Sequence, residues 1–417
     1  MLSRITYVEI TYNIQLITDK YKIFSDTLFG GVKDSLTKLT VQPTGLGSPP
    51  DFIRLLEQLT QHNFPHLCSL TILFSNDIAQ NDLVLSLVEK VAPTLTKFTL
   101  ASVNNSRTAS FDIAIWLKDI VTKFFNRMFN LLSAPNNRLQ SINIRKLYVG
   151  DLASFLRGLF KLGHIKKLKL PSLLNYSQEE IDCFNSGLID FVKSHQLTIV
   201  STPFGVGADL LAAILSKPTL YYLRIMPLAM TKLPDTLTKL SIREEVSPSV
   251  FTTFITTNST HNLVRLYLFD HKNYLNADNF EPFINFLRTS KTLSTLFLGD
   301  YLYITDEQKE TLIPVVINDT SINSILIGMT EPEDIDIDLN DEEAIEARTT
   351  KEFDDLQFLF NQLSLNPVSS LDNVHFEITD EELFLKMMVD RSLNTGSFIG
   401  HYDSYEWSMK FHRVVQS

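Results

Sequence analysis

Three stretches of the chain carry one phrase of apolar positions: Leu263-Val-Arg-Leu266-Tyr-Leu268, Leu293-Ser-Thr-Leu296-Phe-Leu298 and Ile322-Asn-Ser-Ile325-Leu-Ile327. The phrase returns after 30 and then 29 residues, with a segment of helical period in each gap. No helix face explains it, because at about 100° per residue its third apolar position lies roughly 140° from its first. A short strand entered from a turn does, since the last two apolar positions then share one face.

A single three-position match arises by chance about once in 27 residues when a third of positions are apolar, so order, spacing and polar flanks carry the reading. Earlier matches keep that order: Leu36-Thr-Lys-Leu39-Thr-Val41, Leu67-Cys-Ser-Leu70-Thr-Ile72, Leu95-Thr-Lys-Phe98-Thr-Leu100, Leu139-Gln-Ser-Ile142-Asn-Ile144 and Ile165-Lys-Lys-Leu168-Lys-Leu170. Leu220-Tyr-Tyr-Leu223-Arg-Ile225 and Leu237-Thr-Lys-Leu240-Ser-Ile242 follow, with Leu197 to Thr202 a weaker match and Leu371-Asp-Asn-Val374-His-Phe376 a late one. The first phrase is read at Leu2-Ser-Arg-Ile5-Thr-Tyr7.

Between the phrases, residues 51–61 place Phe52, Leu55, Leu56 and Leu59 on one helical side. Helices are also expected over 82–91, 111–132 and 152–162. Ser177-Gln-Glu-Glu180 and Thr379-Asp-Glu-Glu382 have the spacing of capping boxes. Pro227 and Pro234 make the short crossover between two phrases a loop.

A fixed period of one strand and one helix per repeat resembles the leucine-rich repeat. Its spacing is most similar to the ribonuclease-inhibitor-like class, over roughly residues 35–380. The resemblance implies an α/β horseshoe or solenoid with a concave parallel sheet and helices on the convex side. Repeat lengths here are uneven, and the usual Asn or Cys after the strand is missing. Leu233-Pro-Asp-Thr-Leu-Thr-Lys-Leu-Ser-Ile242 is also similar, over ten residues, to the FNIP repeat, without that family's Phe-Asn-X-Pro signature.

The expected organisation is an N-terminal cap or irregular first repeat over 1–34, repeats over 35–330, and a flexible acidic insertion over 331–350. A last repeat over 351–390 and a cap or tail over 391–417 complete it. The insertion includes Glu331-Pro-Glu-Asp-Ile-Asp-Ile-Asp-Leu-Asn-Asp-Glu-Glu343, which has no periodic apolar face.

Composition narrows the function. With 417 residues and 44% of them hydrophobic, the chain can bury a long continuous core. A net charge of -11 argues against nonspecific binding to nucleic acid or anionic membrane. No apolar run is long enough to span a bilayer, and the first residues lack the pattern of a signal peptide. Cys68 and Cys183 stand far apart in apolar settings and are read as buried, reduced thiols. These features point to cytosol or nucleus.

Catalytic chemistry is not indicated. Asp334, Asp336 and Asp338 alternate as in a calcium loop, but Leu339 replaces the turn glycine and Ile345 the bidentate glutamate. Gly205-Val-Gly207 lacks the third glycine of a dinucleotide turn, Leu210 standing in its place. Pro65 separates His62 from His66, so no helix aligns them as metal ligands. Neither metal nor cofactor is expected.

In such a repeat, residues beside and between the last two apolar positions face the concave side. Those residues are Arg145, Lys167, Lys169, Arg224, Lys239, Arg243 and Arg265, with Tyr222, Tyr267, Phe269 and Phe297 among or beside them. Solvated strand positions would account for the charges alone. Aromatic side chains beside arginines, however, are typical interface anchors, and an acidic chain with one basic face steers an acidic partner there. The favoured expectation is a noncatalytic scaffold binding an acidic protein. Alternatives are a substrate adaptor for ubiquitin ligation, although residues 1–34 lack the features of an F-box, a GTPase-regulating repeat, or a nucleic-acid binder.

Overall fold

Each phrase becomes a strand because its fourth and sixth residues point to one side, where an apolar helix face covers them. The computed structural model describes residues 5–12, 27–43, 50–74, 81–102, 111–145, 147–171, 173, 176–227, 232–242, 246–258, 261–269, 277–299, 305–318, 320–327, 342–366, 369–377, 381–391, 393, 395, 397–403 and 408–413. They fall into two units, residues 1–204 with 212–220 and residues 205–211 with 221–417.

In the first unit, β1 (Tyr7–Tyr12), β2 (Lys38–Pro43), β3 (Ser69–Phe74), β4 (Lys97–Ser102), β5 (Ser141–Arg145), β6 (Lys167–Lys169) and β7 (Ile199–Val206) lie in chain order, each parallel to the next. The connecting helices are α1 (Pro50–Gln61), α2 (Asn81–Val91), α3 (Phe111–Leu132), α4 (Leu152–Phe160) and α5 (Gln178–Ser194). Right-handed crossovers between neighbouring parallel strands put successive helices on the same face, and each of these helices packs on the next. The boundary between the units runs through β7 and α6 (Ala208–Leu215).

The second unit orders β8 (Tyr222–Pro227), β9 (Lys239–Ile242), β10 (Arg265–Leu268), β11 (Thr295–Leu298), β12 (Ser324–Ile327) and β13 (Asn373–Glu377) in the same parallel way. Its helices are α7 (Pro248–Thr257), α8 (Ala277–Thr289), α9 (Asp306–Asn318), α10 (Glu342–Leu365) and α11 (Glu381–Asp390). The sheet then changes sense. A hairpin of β14 (Phe398–Asp403) and β15 (Ser408–Arg413) lays β15 antiparallel on β13, with β14 outermost. The architecture is therefore α/β, a solenoid-like array of strand–helix repeats.

Register joins the repeats. Leu39, Leu70, Phe98, Ile142, Leu168 and Val200 are direct partners along the first unit. Leu223, Leu240, Leu266, Leu296, Ile325 and Val374 are partners along the second. All twelve are buried, and each contributes about 1.5–3 kcal/mol by leaving water.

One carbonyl per repeat accepts two N–H groups from the next. Thr238 O takes those of Val264 and Arg265, Val264 O those of Ser294 and Thr295, and Ser294 O those of Asn323 and Ser324. A second ladder runs through hydroxyls just before the phrase. Thr94, Thr292, Ser321 and Ser370 donate to the carbonyls of Leu67, Leu263, Leu293 and Ile322, the first apolar residue of the preceding phrase.

Three expectations are corrected. The first phrase sits three residues further on: Val8 pairs with Leu39 and Ile10 with Val41, and Ser35 donates to Ile5 O. Its apolar positions are therefore Ile5, Val8 and Ile10, not Leu2, Ile5 and Tyr7. Within the segment expected to be a flexible acidic insertion, residues 331–341 lie outside the described residues, and from Glu342 onward the chain is helix α10. That helix is retained by burial, with Thr349 and Glu352 fully enclosed and Arg348 paired to Glu352 at 3.3 Å. Finally, the two cysteines are free but not both buried. Cys68 is half-buried and Cys183 is exposed on α5.

Other local expectations hold. Ser177 caps α5 in a complete capping box with Glu180. The Thr379–Glu382 cap and the Asp334–Asp338 alternation fall on or beside residues outside the description.

Candidate functional site

The strand face opposite the helices presents rows of side chains, one per strand, at each register position. In the second unit the first row reads Tyr222, Lys239, Arg265, Thr295 and Ser324. The second reads Arg224, Ser241, Tyr267, Phe297 and Leu326. Neither row contains an acidic residue, and Phe269 follows directly after β10.

Register brings these groups into one cluster. The Lys239 ammonium lies 4.6 Å from the Tyr222 ring centroid and 4.7 Å from that of Tyr267. The Arg224 guanidinium lies 5.9 Å from the Phe269 ring. Phe269 and Phe297 approach to 4.6 Å, and Tyr267 and Phe297 to 6.0 Å. Gly299 permits this, because a Cβ there would press on the Phe269 backbone and the Phe297 ring.

Burial separates residues that the sequence pattern alone treats alike. Lys239 is half-buried between its tyrosines. Burial, aided by the nearby positive charge of Arg265, pushes its ammonium below the ordinary lysine value. Arg265 is exposed, Arg224, Tyr222, Tyr267 and Phe269 are half-buried, and Phe297 is buried. Phe297 is thus the floor of the cluster rather than an exposed anchor, and Ser241 lies buried beneath the same neighbours. Arg243 lies outside the described residues.

The remaining predicted bases belong to the first unit. Lys167 occupies a row with Lys38, Ser69, Lys97 and Ser141. Lys169 ends the next row, after Thr40, Thr71, Thr99 and Asn143. Arg145 pairs with Ala101 one position further along. Its side chain is held in place: Arg145 Nε donates to Asn143 Oδ1 at 2.8 Å, and Asn143 Nδ2 donates to Thr99 Oγ1 at 3.4 Å. The predicted bases therefore form two groups, one in each unit. Lys38 and Lys97 were visible in their phrases, but only the register joins them to Lys167.

What both faces can do is bind. Among the described residues no group of three or more His, Cys, Asp or Glu side chains could hold a metal ion. None of the described helices is long and apolar enough to cross a membrane.

No protein-family model matches the chain, and no curated protein matches it. Among solved structures it is similar to a chain of the yeast structure described as "Crystal structure of Rad7 and Elc1 complex in yeast". The match has 13% identity over 73% of this chain and 78% of that one, with a TM-score of 0.38, and a likeness at that level carries no argument about activity.

Proposed function

We propose that the chain is a noncatalytic protein-interaction scaffold of the leucine-rich-repeat, ribonuclease-inhibitor-like kind, binding an acidic protein surface on its strand face. The observation that carries this reading is the cluster of Tyr222, Lys239 and Tyr267 with Arg224, Phe269 and Phe297 on rows without acidic residues. Half-buried aromatic rings supply contact area at little entropic cost, and the cations beside them orient an acidic partner. Lys239 is committed to its two tyrosines, so long-range steering falls to Arg265 and Arg224. Two unpaired cysteines suit a reducing compartment such as the cytosol.

The test is binding of the natural partner by Tyr267→Ala and by the Arg224→Glu/Arg265→Glu pair. The first should weaken affinity by about 2 kcal/mol, as a central anchor does. The second should slow association and flatten its salt dependence. Unchanged kinetics in both, with the fold intact, would refute the assignment of this face.

A further inference from the structure

The first unit carries a charge pattern quite different from the aromatic cluster. Lys38, Lys97 and Lys167 occupy one register row on alternate strands β2, β4 and β6, with Ser69 and Ser141 between them on β3 and β5. All three lysines are exposed. Among the described residues none of them forms an ion pair, although Lys118, Arg127 and Arg157 of the same unit do.

Neighbouring strands lie about 4.8 Å apart, so the lysines recur at about 9.6 Å and span about 19 Å. At that separation their mutual repulsion is largely screened in physiological salt, so the fold tolerates the row while leaving its charge available.

We propose that this row receives an acidic α-helix laid across the strands, with a carboxylate on one face at every seventh residue. The proposal rests on the reading of the chain as a protein-binding scaffold and names the class of partner for the first unit. Seven residues of α-helix advance about 10.5 Å and return to within about 20° of the same face. That step matches the lysine spacing to about 1 Å, well within the reach of a lysine side chain. An extended strand would present same-side carboxylates about 6.6–6.8 Å apart, a poorer match.

The next row, Thr40, Thr71 and Thr99, consists of short hydroxyl side chains, which leave room for the helix body. Duplex nucleic acid fits less well, since it offers one charge per ~1.7 Å of axis. Single strands bind on aromatic platforms, and the face rows of β2 to β6 named above contain no aromatic residue.

Two synthetic helical peptides of equal length and composition test this. One carries glutamate at every seventh position, the other at every fourth, and binding to the full chain is followed by fluorescence anisotropy at low salt. The seventh-residue peptide should bind about tenfold tighter, as expected of three exposed ion pairs, and the difference should vanish at high salt. Replacing Lys38, Lys97 and Lys167 together by Gln should abolish the preference while the circular dichroism stays unchanged. The Arg265→Glu and Tyr267→Ala variants of the second unit should keep it.

Equal affinity for the two peptides, retention of the preference in the Gln variant, or tighter binding of a thymidine oligomer than of either peptide would each overturn the proposal. A natural partner still captured through Tyr267 in those cases would leave the scaffold reading standing alone.

Discussion

Lys309 of α9 and Asp355 of α10 form an ion pair at 2.6 Å, with side chains only 4% and 11% exposed. Burial is the largest influence on the Asp355 carboxyl and holds it above its ordinary value despite the ammonium beside it. The pair therefore offsets its own desolvation incompletely. Removing one partner strands a charge in the helix layer, so Lys309→Met and Asp355→Leu should each cost about 3–5 kcal/mol.

The double variant strands nothing and should lie within about 2 kcal/mol of the wild type, on either side. Urea unfolding followed by circular dichroism on the four proteins gives the cycle directly. A double variant as unstable as the sum of the singles would refute the argument, because it would make the two sites independent. The pH dependence adds a sign. A raised carboxyl contributes stability that is complete below its ordinary value of 3.8 and is lost as pH rises through its folded value. The double variant should lack that decline.

Leu266→Ala and Leu296→Ala, at fully buried partners in β10 and β11, should each cost about 2–5 kcal/mol; Tyr267→Ala should cost clearly less, and equal losses would invert the assigned faces. Gly158→Ala should destabilise by about 1–3 kcal/mol in thermal unfolding, since its Cβ would overlap the Phe129 ring between α4 and α3. Deleting residues 342–350 removes buried Thr349 and the Arg348 partner of Glu352, so cooperative unfolding should shift to lower denaturant. Glu180 is held below its ordinary value first by the Ser177 backbone N–H of the capping box and also by Lys118; its contribution is present above the ordinary glutamate value and lost as pH falls through the folded one. Glu180→Gln should blunt that acid-side loss.

The strands were legible because their apolar positions obey a period that no helix satisfies, and Leu240, Leu266 and Leu296 fall where the phrase puts them. The error at Leu2 arose because three apolar positions alone fit two frames. The hydroxyl before the phrase, as in Ser35, Thr94, Thr292, Ser321 and Ser370, would have chosen between them. Acidic composition hid the start of α10, whose burial depends on partners far along the chain such as Lys309. At the candidate site the residue types were readable but their roles were not. Lys239 loses its independence to tyrosines 17 and 28 residues away, and Phe297 is buried by a neighbour on another strand. Such contacts depend on lateral register, which no single repeat encodes.

The chain-order strand sequence also bears on how the protein reaches its folded state. Leu266 meets Leu296 and Leu296 meets Ile325 after separations of 30 and 29 residues, so each new strand closes a loop of nearly the same length. Closure entropy grows only logarithmically with length, and here it barely changes between these steps. Local contacts of this kind favour rapid propagation from whichever repeat nucleates first. The exceptions are Ile325 to Val374, 49 residues apart, and Val374 to Phe411, 37 residues apart and antiparallel. Those two closures are the slowest steps in the second unit, so β13 should be the last parallel strand to gain amide protection during refolding.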